Sequence, residues 1–371
     1  MKKLDFDSVL NALRTVNDPD LKKDLVTLNM IRDLKVFDDG KVTLRVVLTT
    51  PACPMKEKIK SDVVEAVKSA GATQIDVTMD AEVRRPSGTG ATANATARGI
   101  PGVAHIIAVS SGKGGVGKST VSVNLATSLA LEGARVGLLD ADIYGPNIPT
   151  MMGVTENPKL YNDPVKGETF IPPVSHNVKV MSMGFLLQGD QPVIWRGPML
   201  HNILNQFCTR VDWGQLDYLI LDLPPGTGDV QLSLAQMLPL TGAVIVTTPQ
   251  EIALQDVRKA LHMWEKVKVP TLGVVENMSH FTGDDGKQYK IFGEGGGEML
   301  SKKFNTQLLA QMPLVPAIRA GGDEGKPIVV KDANSESAKL FRKLAQEVAR
   351  IVAVQDSKAE GTGSLEIGSF S

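Results

Sequence analysis

An α/β protein with a doubly wound, mostly parallel sheet, preceded by a small α/β domain, is the fold class this sequence predicts. Two observations predict it. From residue 103 onward, short apolar runs alternate with helical stretches, the pattern of parallel strands covered on both faces. Before residue 85, a separate set of helix and strand signals is cut off by a small, polar stretch that has no core of its own.

Residues 4–16 carry Leu4, Val9, Leu10, Leu13 and Val16 at helical spacing, and "NDPD" ends the pattern. "KVTLRVVLTT" (41–50) is β-branched, partly alternating and preceded by the turn "DDG", so it reads as a strand. Residues 55–71 read as a second helix stopped at Gly71, and 73–79 as a short strand. These make a small α/β domain over 1–85. "RPSGTGATANATARGIPG" follows, and 86–102 is expected to be a flexible linker. The second domain, 103–354, has six strand runs: "HIIAVSS", "ARVGLLDAD", "DYLILDLPP", "GAVIVTTPQ", "TLGVVENM" and "LLAQMPL". Residues 333–354 read as a closing helix, and 355–371 as a disordered tail.

Composition narrows the function classes. The 371 residues hold 40 basic and 41 acidic side chains, a net charge of −1, and no long basic run, so nucleic-acid binding is not expected. No apolar run approaches the ~20 residues of a membrane span. Asp5 and Asp7 interrupt any signal-peptide core, so a cytoplasmic protein is the default expectation. Two cysteines, Cys53 and Cys208, cannot form a disulfide framework or, within one chain, a four-thiolate site.

"GKGGVGKS" (112–119) satisfies the phosphate-loop pattern G-x-x-x-x-G-K-[ST], between the strand "HIIAVSS" and a helix. Its glycines let backbone N–H groups turn onto phosphate oxygens, and the helix adds its positive end. The expected nucleotide contacts are Gly112, Lys113, Gly114, Gly115, Val116, Gly117, Lys118, Ser119 and Thr120. Lys118 would serve the β- and γ-phosphates and Ser119 a Mg²⁺ ion. Asp140 and Asp142 close the second strand run at its ligand-binding edge. Helix capping is the alternative role for both. Asp222 ends a buried apolar run, where an acid needs a partner or a metal, and reads as the Walker B acid beside Mg²⁺. "PPGTGD" after it reads as a loop sensitive to the γ-phosphate.

"GKGGVGKST", with its additional early lysine, resembles the deviant Walker A ATPases that include MinD and ParA. "DADIYGPNIP", "VIWRGPM", "DLPPGTGD", "VVENMSHF", "IFGEGGG" and "GGDEGKPIVV" narrow the resemblance to the Mrp/ApbC branch of iron–sulfur cluster carriers, over roughly residues 103–350. "NDPDLKKDLVTLNMI" and "TTPACPM" resemble the small iron–sulfur assembly domain often fused to that ATPase. The resemblance implies a P-loop ATPase that binds ATP and Mg²⁺, hydrolyses ATP slowly and forms a nucleotide-dependent homodimer. It implies that Lys113 of one copy reaches the phosphates held by the other and acts as an arginine finger does. It implies that Asp142 orients the attacking water, with Ser119, Asp142 and Asp222 around Mg²⁺. Asn277 would then read the adenine edge, and Arg319 would lie in the segment that closes over the base. Iron–sulfur apo-proteins and assembly factors are the implied partners.

The sequence departs from this group in one segment. A Cys-x-x-Cys pair commonly follows the "ENMS" strand there, whereas "ENMSHFTGDDGKQYKIFGEGGG" has no cysteine, and Thr282, Asp284 and Asp285 are poor substitutes for thiolates. Cys53, between a strand and a helix whose N-terminus would lower its pKa, is the candidate ligand for an iron–sulfur cluster. A small buried apolar role is its alternative. Cys208 lies in a helical apolar pattern and reads as core, with a ligand role as the alternative. His280 reads as part of a solvated turn, with metal ligation as the alternative. Two functions therefore stand: an ATP-dependent iron–sulfur carrier, or a nucleotide-switched binding scaffold without its own cluster.

Overall fold

The structure, a computed structural model, describes residues 4–84, 99–143, 145–164, 167–186 and 197–363. It divides into two units, one drawn from Met1–Arg85 and Ala349–Ser371, the other from Pro86–Val348. Residues 85–98, which include most of the predicted linker, lie outside the described residues, as do Trp195 and Arg196 of "VIWRGPM".

In the smaller unit, α1 (Phe6–Leu13) starts at Asp5, whose carboxylate accepts the Ser8 amide at 2.8 Å while the Ser8 hydroxyl accepts the Asp5 amide. The strands β1 (Ile31–Val36), β2 (Lys41–Leu48) and β3 (Gln74–Ala81) form one sheet in that order. β1 and β2 are antiparallel, and β2 and β3 are parallel. The helix α2 (Lys56–Ser69) crosses between β2 and β3. Val42, Leu44 and Val46 alternate inward on β2 and meet Val9 and Leu13 of α1 and Ile59, Val63 and Val67 of α2. That pattern is an apolar sheet face covered by two helices.

The larger unit begins at β4 (Val103–Ser111), α3 (Lys118–Leu131), β5 (Val136–Asp140) and α4 (Ile148–Met151). A hairpin, β6 (Lys159–Asp163) with β7 (Gly167–Ile171), precedes β8 (Val174–Ser175) and β9 (Val178–Ser182). Then come α5 (Gly197–Thr209), β10 (Leu216–Asp222), α6 (Asp229–Met237), β11 (Gly242–Thr247), α7 (Glu251–Lys266) and β12 (Thr271–Glu276). A second hairpin, β13 (Phe281–Thr282) with β14 (Gln288–Tyr289), leads to α8 (Gly296–Lys303), β15 (Leu308–Gln311), α9 (Pro316–Asp323), α10 (Ile328–Lys331) and α11 (Glu336–Gly363), whose residues from Ala349 onward belong to the smaller unit.

The main sheet has the order β15-β12-β11-β4-β10-β5-β9-β8, parallel except for β8 at its edge. The chain fills one side of β4 with β5, β9 and β10 and the other with β11, β12 and β15. The strand order therefore reverses beside β4, where such sheets open a crevice at their carboxyl ends. β5, β10 and β11 are buried at every residue, as near-continuous apolar strands between two helical layers must be.

Two sequence expectations are corrected at the boundaries. Ile100, placed in the linker by its small polar neighbours, is buried in the core, and Val103 donates back to its carbonyl. The tail expected from 355 is helical as far as Gly363, because α11 runs on beyond Val354. Ile351 and Val352 are buried, and Arg350 pairs with Asp20 at 3.3 Å within the smaller unit. Among the described residues, no helix is long and apolar enough to cross a membrane.

Candidate functional site

The glycine loop connects β4 to α3 at the carboxyl edge of the sheet. Gly117 caps α3 with φ +83°, and a Cβ there would lie 2.1 Å from Nδ2 of Asn277. At Gly112 a Cβ would meet backbone atoms of Asp256 and Val257 on α7 at 2.4 Å, so the loop can lie against that helix only as glycine. The loop conformation thus depends on contacts from α7 and from the end of β12.

At the start of α3, Lys118 is 6 % exposed, and its Nζ donates to Oδ2 of Asp222 at 2.7 Å. The Ser119 hydroxyl donates to the same oxygen at 2.7 Å, and that of Ser122 to Oδ1 at 2.5 Å. Asp142 Oδ2 lies 3.9 Å from Lys118 Nζ, and its Oδ1 accepts the Gly145 amide. A strand-end carboxylate, the loop lysine, Ser119 and Asp142 are thereby brought together, as their sequence positions suggested. Ser122 is an addition. It falls one turn after Lys118 on the same helix face, which was a readable signal.

The register aligns the ends of three strands: Asp222 of β10 stands opposite Asp140 of β5, and Asp140 opposite Ser182 of β9. Asp140 is fully buried and accepts the Asp142 amide at 3.1 Å, the Ile148 amide at 3.2 Å and the Ser182 hydroxyl at 2.9 Å. Burial, and then the charge of Asp222, push its carboxyl up to about 8. The Ile148 contact makes Asp140 a cap for α4 as well as part of the carboxylate row. Ser182 had no sequence signal, because β9 was not recognised as a strand.

Lys113 makes a different contact. Its ammonium donates to Oε1 of Gln250, the residue before α7, at 3.3 Å. Beside the loop lies a cavity of about 580 Å³ whose lining includes Gly117, Thr120, Thr150, Asn277, Leu314 and Arg319. Asn277 is 7 % exposed, and its side-chain amide donates to the Val116 carbonyl at 2.9 Å, so it braces the loop as well as lining the cavity. Arg319 is exposed at the cavity rim and pairs with Asp323 one turn along α9.

The cysteines lie elsewhere. Cys53 is half-buried beside a small cleft lined by Asp18, Asp20 and Arg350. Its expected low pKa is corrected: desolvation outweighs the Met55 amide, and the thiol is pushed up to about 11. Cys208 is buried in the core on α5, and burial pushes its thiol up to about 12. The cysteine-free segment after "ENMS" forms the β13–β14 hairpin. There Asp285 accepts the Lys287 amide at 3.0 Å and the Tyr289 hydroxyl at 2.9 Å, which hold its carboxyl below the usual range. The His280 ring is hydrogen-bonded to the neighbouring Ser279 hydroxyl. Among the described residues, no group of three or more His, Cys, Asp or Glu is placed to hold a metal ion.

In a doubly wound sheet, a glycine turn that delivers a buried lysine and a helix-start hydroxyl onto a strand-end carboxylate is built to hold phosphates with a divalent cation. Fold and site together define a P-loop nucleoside triphosphatase. Comparison with known proteins specifies the class further. Residues 102–349 match the NUBPL iron-transfer P-loop NTPase family, and residues 7–80 match an iron–sulfur cluster assembly protein family. A Synechocystis protein named iron-sulfur cluster carrier protein is 50% identical over 349 residues, covering 93% of this chain and 97% of its own. An Arabidopsis thaliana protein named Fe-S cluster assembly factor HCF101, chloroplastic, is 46% identical over 91% of this chain and 62% of its own. Among solved structures, a nucleotide-binding protein of Archaeoglobus fulgidus in complex with ADP is 37% identical. Its TM-score is 0.55, over 64% of this chain and 92% of that one. The septum site-determining protein MinD of Pyrococcus horikoshii, complexed with Mg-ADP, is 26% identical with a TM-score of 0.50, over 66% and 95%. The chain belongs to the NUBPL iron-transfer P-loop NTPase family.

Proposed function

We propose that the protein is an ATP-dependent iron–sulfur cluster carrier that works as a nucleotide-clamped homodimer. The observation that carries the nucleotide half is the buried contact between Lys118 and Asp222 at 2.7 Å, next to a cavity large enough for a base. The cargo half is supported by the names of relatives that span nearly the whole chain.

Ser119 and Asp222 offer hard oxygen donors on one spot, a set that suits Mg²⁺, which takes few protein ligands and completes its shell with phosphate and water. A bound ion would supply charge neutralisation at the phosphates. Lys118 exchanges the Asp222 carboxylate for phosphate oxygens when nucleotide arrives. Loop amides between Gly112 and Thr120 orient those oxygens. Asp142 orients the attacking water, and Asn277 and Arg319 frame the adenine. Lys113 leaves Gln250 and reaches the phosphates of a second copy, where it offsets charge developing in the transition state. Hydrolysis then requires two chains, so turnover is slow in dilute protein.

For the cargo, Cys53 is the thiol within reach of solvent, and ligation displaces its proton. Anaerobic reconstitution with iron and sulfide, in wild type and Cys53→Ser, tests this. A chromophore that forms in wild type, weakens in the variant and activates an apo-protein client is the expected outcome. The second reading, an ATP-gated scaffold without its own cluster, is favoured by the raised pKa of both thiols and by the hairpin held by Asp285. Wild type that gives no chromophore and activates no client would establish that reading instead.

A further inference from the structure

Asp140 makes more connections than a capping residue needs. Its Oδ1 holds the amide of Asp142, while its Oδ2 holds the amide of Ile148, the first residue of α4, and takes the hydroxyl hydrogen of Ser182. Ser182 is the last residue of β9, opposite Asp140, and its oxygen also accepts the Gly184 amide at 2.9 Å. One fully buried carboxylate therefore joins three pieces of chain to a rigid strand end.

The helix α4 is also a wall of the base cavity, through Thr150 and Met151. The helix α9 lines the same cavity, through Ile318, Arg319 and Gly322. A Cβ on Gly322 of α9 would touch Cε of Met151 at 3.3 Å, so those two elements face each other closely. After α4, Gly153 packs on Gly325 so tightly that a Cβ on Gly325 would lie 2.4 Å from the Gly153 Cα. A shift of α4 must therefore be shared by α9, and both helices line the cavity. It must also be felt at Asp142, because the same carboxylate holds the amides at both ends of the short segment from 142 to 148.

We propose that Asp140 is a positioning residue that couples occupation of the base cavity to the placement of Asp142, so that the base sets the rate of hydrolysis and not only the affinity. The inference rests on the nucleotide reading of the site given above. A base seated against α4 and α9 fixes α4, Asp140 transmits that position, and Asp142 is held where it orients water. A nucleotide with an ill-fitting base leaves α4 less constrained and Asp142 displaced.

The test compares ATP with inosine triphosphate, which differs only at the base edge, in wild type, Asp140→Asn, Ser182→Ala and Ser182→Thr. Wild type should turn over ATP about 10-fold faster than inosine triphosphate at saturation, within the range usual for coupling between sites. In Asp140→Asn and Ser182→Ala the ratio of kcat values should fall to within about 2-fold, because kcat with ATP drops towards that with inosine triphosphate while the difference in KM persists. Ser182→Thr, which keeps the hydroxyl, should restore the wild-type ratio. If Asp140→Asn does not fold, as judged by circular dichroism, the two Ser182 variants decide the matter. Equal loss of kcat with both nucleotides, leaving the ratio unchanged, overturns the coupling and leaves Asp140 a structural residue. So does a wild type that separates the two nucleotides in KM alone. Wild type that hydrolyses neither nucleotide overturns the underlying reading of the site, and is distinguishable from both.

Discussion

Mixing two inactive variants offers a direct test of whether Lys113 acts on its own pocket or on a partner's. Lys113→Ala removes one half-buried hydrogen bond to a neutral amide, worth about 1 kcal/mol, so the fold should persist. Asp142→Ala removes a carboxylate that accepts the Gly145 amide and lies 3.9 Å from the Lys118 ammonium, and that ammonium keeps its 2.7 Å contact with Asp222, so the variant too should stay folded. Alone, each should hydrolyse ATP at least ~10²-fold more slowly than wild type, since each removes a group proposed to act on the transition state. Mixed in equal amounts with ATP, half of the dimers pair one variant with the other. In each mixed dimer, the pocket that keeps Asp142 receives Lys113 from the Asp142→Ala chain and is complete. The other pocket lacks both groups. One working pocket in two, in half of the dimers, should restore about a quarter of wild-type turnover. Phosphate release measured against protein concentration is the assay, with the separate variants as blanks. A mixture no more active than the sum of its components would refute the trans assignment, because a lysine acting within its own chain leaves every pocket in the mixture defective.

Lys118→Ala strands the buried Asp222 carboxylate with only two hydroxyl donors, so the protein should lose about 3 kcal/mol of stability and bind nucleotide at least ~10²-fold more weakly, read by thermal melting and calorimetry. Gly112→Ala forces a Cβ against backbone atoms of α7 that cannot rotate away, and should cost about 2 kcal/mol or more in denaturant titration while nucleotide affinity falls; an unperturbed melting curve would contradict the close approach. The Cys53 thiol, with a folded pKa raised to about 11, binds its proton more tightly folded than unfolded. Its contribution to stability is therefore complete below the ordinary thiol pKa and declines as pH rises from there towards 11. Alkylation of Cys53, followed by mass spectrometry, should accelerate through pH 9 to 11 without an inflection near neutrality.

The strands of the larger unit were legible where burial on both faces left an unbroken apolar run, as in "DYLILD" and "AVIVT". β9 was not. "VKVMS" is short and carries Lys179, whose ammonium reaches the carbonyls of Asp212 and Trp213, a tertiary contact that no local pattern announces. β1 was missed for a related reason: its outward positions are charged, and the "DDG" turn that joins it to β2 was read only as the start of β2. In the site, the motif spacing located Lys118, Ser119, Asp142 and Asp222. Spacing could not supply the partners that come from distant strands, Ser182 for Asp140 and Gln250 for Lys113. Cys53 shows a different limit. Its position before a helix suggested an activated thiol, but the sign of the shift is decided by burial, which depends on how the rest of the unit packs over it.

The alignment of Ser182, Asp140 and Asp222 across neighbouring strands restricts how the gene can change. Side chains on a strand point to alternate faces. Deleting one residue within β10 ahead of the acid would bring Leu223, and inserting one would bring Leu221, both wholly enclosed by core, to the spot where the acid must stand. No substitution elsewhere repairs such a slip, because β4 and β5 fix β10 from both sides. Composition in these strands is free to drift among aliphatic residues, while their lengths between the sheet's entry edge and the acid are locked. Insertions and deletions should therefore accumulate in the hairpins and termini and be absent from the three strands that end in this row.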